Sequence, residues 1–328
     1  MFEWLFGKKS KGSRLGIDLG SSSIKVIELE KREGRTFLSN YALVREKPTA
    51  VFKIGDLKEA ETAEILRSLL DRAGIGSRRA SISLPLEKTF STVVELPYMP
   101  EEEIGAAISF EAQKYVPVPL EEVVLDWSVI PKNDELANGQ RDDAGKMNLD
   151  GAQISANRLP AQNIQILLIA VPKDVINRTM EIARLADVQV LALEQEAFSL
   201  VRSLVGNDKN PFLILDLGRR NTNLIVVDQG FIRMTHNIEA LNKEFILLEL
   251  ERIVSIFEMK YNRKITQCLF SGGRAGEEEM INFLISKLKM PGRVGDPFAR
   301  ITSEPVLAPV LKELSPQFSI AAGLAMRE

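Results

Sequence analysis

The sequence predicts an α/β protein of two lobes, and three observations predict it. Strand patterns alternate with helix-length amphipathic runs along most of the chain, so sheets must be covered by helices. The length, 328 residues, is enough for two lobes around a large buried core. A short stretch also occurs twice. GIDLGSSSIK runs from Gly16 to Lys25, and LDLGRRNTNL from Leu215 to Leu224. Each copy has Asp-Leu-Gly after an apolar run, then a polar turn, then apolar residues again.

Arg14 to Leu29 reads as two strands joined by the Gly20 to Ser23 turn. EGRTFLSNYALVRE adds a strand after a turn at Gly34. DLKEAETAEILRSLLDRAG places Leu57, Ile65, Leu66, Leu69 and Leu70 at helical spacing and stops at Gly74. RASISLPL and TFSTVVELP return to strand, and a helix follows Pro100. A proline-broken turn at Val116 to Pro119 then leads into another strand. Lys132 to Asn163 is rich in Asn, Asp, Gly and Gln, and reads as a long mobile insertion between two paired strands. Beyond it, IQILLIAVP is a buried strand and KDVINRTMEIARLAD a helix; VQVLALEQEAFSLVRSLVG runs from strand into helix. The second half opens at Pro211 with a three-strand meander. Helix follows from Glu239 to Tyr261, then the strand ITQCLFSGG, a helix from Gly276 to Lys289 and a short closing helix in SPQFSIAAGLAMRE.

Composition excludes several functions. The net charge of -3 gives no general pull toward nucleic acid. A single Cys, Cys268, excludes a disulfide framework and a Cys-rich metal site, and fits a reducing cytoplasm. It lies on a strand facing the core, as an inert thiol. A single His, His236, excludes His-based triads and multi-His metal sites. The longest apolar run, Ile164 to Val171, is far short of the roughly 20 residues a membrane helix needs. At the N-terminus Phe2, Trp4, Leu5 and Phe6 precede Lys8, Lys9, Lys11 and Arg14. That segment reads either as a frayed or packed tail, or as a weak dock for an anionic membrane surface or a partner.

The repeated turn has a chemical reading. A polyphosphate needs many donors and several cancelled charges. Gly- and Ser-rich turns offer consecutive backbone N–H groups, Ser and Thr add hydroxyls, and an Asp just before the turn can hold Mg²⁺ through its water shell. Two such turns, one per lobe, can grip one nucleotide from both sides. Beyond the second copy, LFSGGR from Leu269 to Arg274 ends a strand in Gly-Gly, where a flat base or ribose can lie on bare backbone.

In this order, the motifs resemble the actin-like ATPase superfamily. GIDLGSSSIK is similar to its first phosphate loop, LDLGRRNTNL to its second and SGGR to its adenosine motif. LEQEAFSLV and FSIAAGLAMR resemble its two connecting helices. Within that superfamily the chain resembles the type IV pilus assembly protein PilM family, whose extra subdomain VELPYMPEEEIGAAISFEAQKYVPVPLEEVVLDW (Val94 to Trp127) resembles. The resemblance covers nearly the whole chain except Lys132 to Asn163. It implies a two-lobed actin-like (ribonuclease H-like) ATPase fold with an extra α+β subdomain. The domains would be a tail at 1–13, a 1A-like first lobe at 14–92 and 173–209, a 1C-like insertion at 93–172 with its mobile loop at 132–163, and a 2A-like second lobe at 210–328.

The resemblance also assigns residues. Asp18 would orient Mg²⁺ through water, and Gly20, Ser21, Ser22 and Ser23 would cradle the phosphates of ATP. Lys25 reads either as added charge there or as a strand-edge lysine facing solvent. Asp216 and Gly218 would form the opposing grip, with Asn221 and Thr222 as donors. Gly272, Gly273 and Arg274 would flank the nucleoside. Glu196 takes the position that polarises the attacking water in hydrolytic members; read locally, it is a helix-capping or solvated carboxylate. Two departures stand out. Arg219 and Arg220 fill a turn where small residues are usual, and would either add charge beside phosphate or crowd it. HNIEALNKEF replaces the usual Gly-Gly, and about 35 residues separate His236 from the Ser-Gly-Gly turn, so the second-lobe cap is shortened, with a reduced 2B region at about 237–263.

The function implied is a cytoplasmic adaptor, peripheral at the inner membrane, in a type IV pilus or related secretion platform. It would bind the cytoplasmic tail of a PilN-like bitopic membrane protein among Ser81 to Ile130 and neighbouring strands, as an extended peptide held by main-chain hydrogen bonds. Other pilus platform proteins or motor ATPases are further partners, and nucleic acid is not. ATP would serve as structural ligand or switch. A cycling ATPase or sugar-kinase-like enzyme on the same fold is the enzymatic alternative, though no local cluster supplies a sugar pocket. An FtsA-like polymer-forming division protein is the third reading. That family ends in an amphipathic membrane helix after a linker, whereas this sequence ends at Glu328, directly after the second connecting helix.

Overall fold

The computed structural model describes residues 12–46, 53–131, 163–239 and 242–327. The tail expected at 1–13 lies outside them up to residue 11, and the loop expected at 132–163 up to residue 162. The chain forms two compact units. One combines Met1–Thr89 with Pro172–Arg327, and the smaller is Phe90–Val171.

In chain order, β1 (Arg14–Leu19), β2 (Ser23–Arg32) and β3 (Arg35–Arg45) form an antiparallel meander. Helix α1 (Glu59–Arg72) buries Ala63, Leu66 and Leu70 along one face. At its start the Glu61 carboxylate accepts the Lys58 N–H at 2.9 Å, which satisfies one otherwise orphaned donor. Strand β4 (Arg79–Leu84) lies parallel to β1. The smaller unit then follows as β5 (Phe90–Leu96), α2 (Glu101–Ala112), β6 (Val123–Ile130) and β7 (Ile164–Pro172), with sheet order β5-β7-β6. Its core is Val94, Leu96, Ile104, Ile108, Ile166 and Leu168.

The chain returns through α3 (Lys173–Leu185) to β8 (Gln189–Gln195), parallel to β4, which completes a five-stranded sheet of order β3-β2-β1-β4-β8. Helix α4 (Glu196–Leu200) and a wider turn at Val201–Val205 lead away. The second half repeats the scheme. Strands β9 (Phe212–Leu217), β10 (Thr222–Asp228) and β11 (Phe231–Ile238) form a meander; β12 (Gln267–Ser271) and β13 (Gly292–Val294) join in parallel, giving the order β11-β10-β9-β12-β13. Two three-strand meanders each extended by two parallel strands explain why one sequence motif occurs twice.

Between β11 and β12 the described residues hold a single helix, α5 (Lys243–Tyr261). It starts where the Asn242 side chain accepts the N–H groups of Glu244 and Phe245, and stops at Asn262 in the left-handed region. Helix α6 (Glu278–Leu288) packs with it over Leu213, Leu215, Cys268 and Phe270. Cys268 is fully buried, and burial pushes its thiol far above the ordinary range, so the thiolate needed for reactivity does not form. Last come α7 (Ala308–Leu314) and α8 (Ser319–Ala325).

Although it follows the second sheet in sequence, α8 packs on β1 of the first. A Cβ at Gly16 would lie 2.0 Å from the Ala321 carbonyl and 2.6 Å from the Ala325 nitrogen, so only glycine admits the helix. The crossing is tied by a buried carboxylate. Glu194 accepts from Arg202 Nη1 at 2.8 Å and Nη2 at 2.7 Å, from Arg327 Nη1 at 2.8 Å and from the Ser199 hydroxyl at 2.7 Å. Burial opposes its charge, but the two guanidinium groups outweigh that and hold the carboxyl below the usual range.

Candidate functional site

The β1–β2 register sets Asp18 opposite Lys25. Lys25 Nζ reaches Asp18 Oδ2 at 2.7 Å, and Asp18 is 1% exposed. The Ser83 hydroxyl, from the C-terminal end of β4, donates to Asp18 Oδ1 at 3.2 Å and accepts the Leu19 N–H at 3.1 Å. The turn beyond Asp18 is anchored from outside: the carbonyl of Ser21 accepts the Gly55 N–H at 2.9 Å, and that of Ser22 accepts the Glu46 N–H at 3.0 Å.

In the second hairpin the same register position sets Asp216 opposite Asn223. Asp216 is buried and accepts from Asn223 and from Ser271, its neighbour on β12. Gly272 follows with φ +91°, and a Cβ there would lie 2.5 Å from the Leu217 carbonyl and 2.8 Å from Asp216 Oδ1. Only glycine lets the end of β12 ride that close to the carboxylate. Glu196, the first residue of α4, is buried too; its Oε2 accepts the Leu86 N–H at 3.1 Å and the Asn223 amide at 3.2 Å. The Asn223 Oδ1 accepts from Asn237 at 2.7 Å, which fixes which way the amide faces.

Three carboxylates thus share one ammonium. Burial raises the Asp216 carboxyl to about 6; Lys25 pulls it down, Asp18 pushes it up, and the Ser271 and Asn223 hydrogen bonds hold it down. Burial, followed by the charges of Asp18 and Asp216, raises Glu196 well above the ordinary carboxylate range. Burial opposes the charge on Lys25, but Asp18 first, then Asp216 and Glu196, raise its pKa. The surplus of negative charge is what a divalent cation would balance. No group of three or more His, Cys, Asp or Glu side chains among the described residues is arranged to hold a metal ion directly. The glycines also fit. At Gly20 a Cβ would lie 3.0 Å from the Ser23 carbonyl, 3.5 Å from Lys25 Nζ and 3.9 Å from Asp18 Oδ1, and at Gly273 nothing lies within 4 Å.

The residues singled out in the sequence fall into two sets. Asp18, Lys25, Glu196 and Asp216 form one electrostatic cluster, with Gly20 and Gly272 against it. Lys25 faces Asp18 and not solvent, and Glu196 is neither solvated nor exposed. Ser21, Ser22 and Ser23 are half-buried at the first turn, and Gly218 packs against Asn221 in the second. The others do not join the cluster. Asn221 donates to Glu87, the Arg274 guanidinium bonds Glu277 and the Met280 sulfur, and Thr222 is wholly buried, its hydroxyl without a partner among the described residues. Sequence reasoning passed over Ser83, Asn223 and Ser271. A polar residue at the C-terminal end of an otherwise apolar, parallel strand was the available signal for Ser83 and Ser271.

Two sheets of one topology, each presenting a buried Asp at a hairpin turn, define a protein of the actin-like fold. Among solved structures, one described as "PilM-PilN type IV pilus biogenesis complex" superposes with a TM-score of 0.79 at 19% identity, over 97% of this chain and 99% of that one. The ethanolamine utilization protein EutJ of Carboxydothermus hydrogenoformans follows at 0.52 and 11%, over 100% of this chain and 94% of that one. A Bacteroides thetaiotaomicron protein with actin-like ATPase fold and unknown function reaches 0.50 and 10%, over 92% and 96%. At such identities these are likenesses of fold. Residues 16–142 match the model of the family described as type IV pilus assembly protein PilM. No helix among the described residues is long and apolar enough to cross a membrane.

Proposed function

We propose that the chain is an actin-like adaptor of a type IV pilus, or related secretion, inner-membrane platform that binds the cytoplasmic tail of a PilN-like membrane protein and takes ATP as structural ligand or switch. The observation that carries the partner is the likeness to the PilM–PilN structure over nearly the full length of both chains. The smaller unit, Phe90–Val171, would supply part of the binding surface; it leaves Tyr98 64% and Phe110 68% exposed, the amphipathic and aromatic side chains that peptide partners use. A pull-down with the tail peptide, with and without ATP, tests this. Absence of binding in both arms would remove the assignment.

The nucleotide rests on the charge-unbalanced trio of Asp18, Asp216 and Glu196 around Lys25. Asp18 would hold Mg²⁺ through water, Gly20, Ser21, Ser22, Ser23, Gly218 and Asn221 would meet the phosphates, and Gly272, Gly273 and Arg274 would flank the nucleoside. Bound Mg²⁺ supplies the positive charge that the site's carboxylates and a polyphosphate both need. Calorimetry with ATP and Mg²⁺ on wild type and Asp18→Ala tests the site; equal heats would remove it and leave the adaptor role standing. A hydrolytic reading draws on one observation, the burial of Glu196 in one cluster with Asp18 and Asp216. Phosphate release equal in wild type and Glu196→Gln would dismiss it.

A further inference from the structure

The second turn carries Arg219 and Arg220 where the first carries only Gly and Ser. Arg219 is exposed, but Arg220 is half-buried and leaves its own lobe. Its Nη2 lies 3.3 Å from Glu46 Oε1 and its Nη1 3.2 Å from Asp56 Oδ1. Both carboxylates belong to the segment that anchors the first turn. The Glu46 N–H donates to Ser22, and the Gly55 N–H to Ser21. Glu46 is the less exposed partner, its side chain 10% exposed, and it also accepts the Ile54 N–H at 2.6 Å. A Cβ built on Gly55 would stand 2.9 Å from the Ser21 carbonyl and 3.1 Å from Arg220 Nη1. A side chain rooted in one turn therefore ends one residue's thickness from the other.

We propose that Arg220 is a clasp between the two turns that exchanges Glu46 and Asp56 for the terminal phosphate of a bound nucleoside triphosphate. The inference rests on the nucleotide reading above and adds a discriminating residue to it. Two features make the exchange feasible. The ion pairs, at 3.2 and 3.3 Å, are longer than the roughly 2.7–2.9 Å of a tight charge-assisted bond, and the Asp56 side chain is 66% exposed, where such pairs are weak. A guanidinium fork also matches phosphate oxygens in pairs, which a carboxylate on each nitrogen separately does not exploit. The more highly charged triphosphate gains more from that fork than the diphosphate, so Arg220 sets the preference between them.

Calorimetry with Mg²⁺ and either ATP or ADP tests this on the full chain. Arg220→Gln is expected to weaken ATP by roughly ten- to a hundredfold and ADP far less, so the preference collapses. Glu46→Gln with Asp56→Asn frees the fork and is expected to tighten ATP. Arg220→Lys keeps the charge without the fork and should fall between. An ATP-to-ADP ratio unchanged in Arg220→Gln, with wild type binding ATP, overturns the exchange and spares the nucleotide site. Wild type as inert as Asp18→Ala brings down both. Without nucleotide, thermal midpoints of Arg220→Gln, Glu46→Gln and their combination should be non-additive; additive shifts overturn the clasp.

Discussion

The two hairpins share strand order, direction and register, yet they differ at one position that decides their electrostatics. Opposite Asp18 stands Lys25; opposite Asp216, at the same place in the register, stands Asn223. The first carboxylate therefore has an ammonium at 2.7 Å, while the second has amide and hydroxyl donors and is raised to about 6. Two residues before each Asp the strands differ again, with Gly16 in β1 and Ile214 in β9. The duplicated backbone sets where a charge can sit, and the side chain across the ladder sets whether that charge is neutralised.

The contrast breaks most severely at Lys25. Lys25→Met leaves Asp18 buried with no cation and removes the shared counter-charge of Asp216 and Glu196. Stripping one partner from a buried pair costs about 3–5 kcal/mol. Chemical denaturation should show a loss of that order; a change within error would mean that the ammonium is not the common counter-ion. Gly16→Ala comes next, because its Cβ would meet the backbone of α8, which cannot swing aside as a side chain can. Overpacking of this kind costs about 1–3 kcal/mol. At the equivalent position Ile214→Val removes one methylene from a core and should cost about 0.5–1.5 kcal/mol. Equal costs at both sites would show that α8 can shift.

The same comparison shows what was legible beforehand. Asp-Leu-Gly followed by a polar turn is a local pattern, and it exposed the duplication. Helix α1 declared itself by apolar spacing. The stretch from Pro291 to Leu314 did not. No strand or helix is assigned there from the sequence, yet it holds β13 and α7. Pro309 sits in the first turn of α7, where a missing N–H costs nothing. Lys25 was ambiguous because its role depends on pairing across the turn. Arg220 was ambiguous because its partners lie 174 and 164 residues away, beyond any local signal. Ser83 entered the site only through parallel pairing of β4 with β1.

Asp216 gives the comparison a pH dependence. Its carboxyl is raised from 3.8 to about 6, so the folded state binds a proton more tightly than the unfolded one. The Asp216 contribution to stability is then greatest at acid pH and falls as pH rises from about 4 to about 6, by no more than roughly 3 kcal/mol, and is flat above. Asp216→Asn should abolish that contribution and leave the part due to Glu196, which is raised in the same direction. Unfolding midpoints at pH 5, 6 and 7.5 measure it. An identical slope in the variant would place the titration elsewhere.

The uncharged side of the comparison lies across from Asp216. Asn223 donates to Glu196 at 3.2 Å and to Asp216, and accepts from Asn237 at 2.7 Å, so Asn223→Ala strands three buried or half-buried groups at once. None of them loses a charge partner, which is why the cost, about 1–3 kcal/mol for unsatisfied polar groups, stays below that of Lys25→Met. Asn237→Ala alone should cost less, since it frees only one acceptor. The combined variant should cost little more than Asn223→Ala, because the second substitution removes a donor the first has already orphaned. Costs that simply add would mean the two amides act apart, and that the orientation of Asn223, and with it the hold on Asp216 and Glu196, is set by something other than β11.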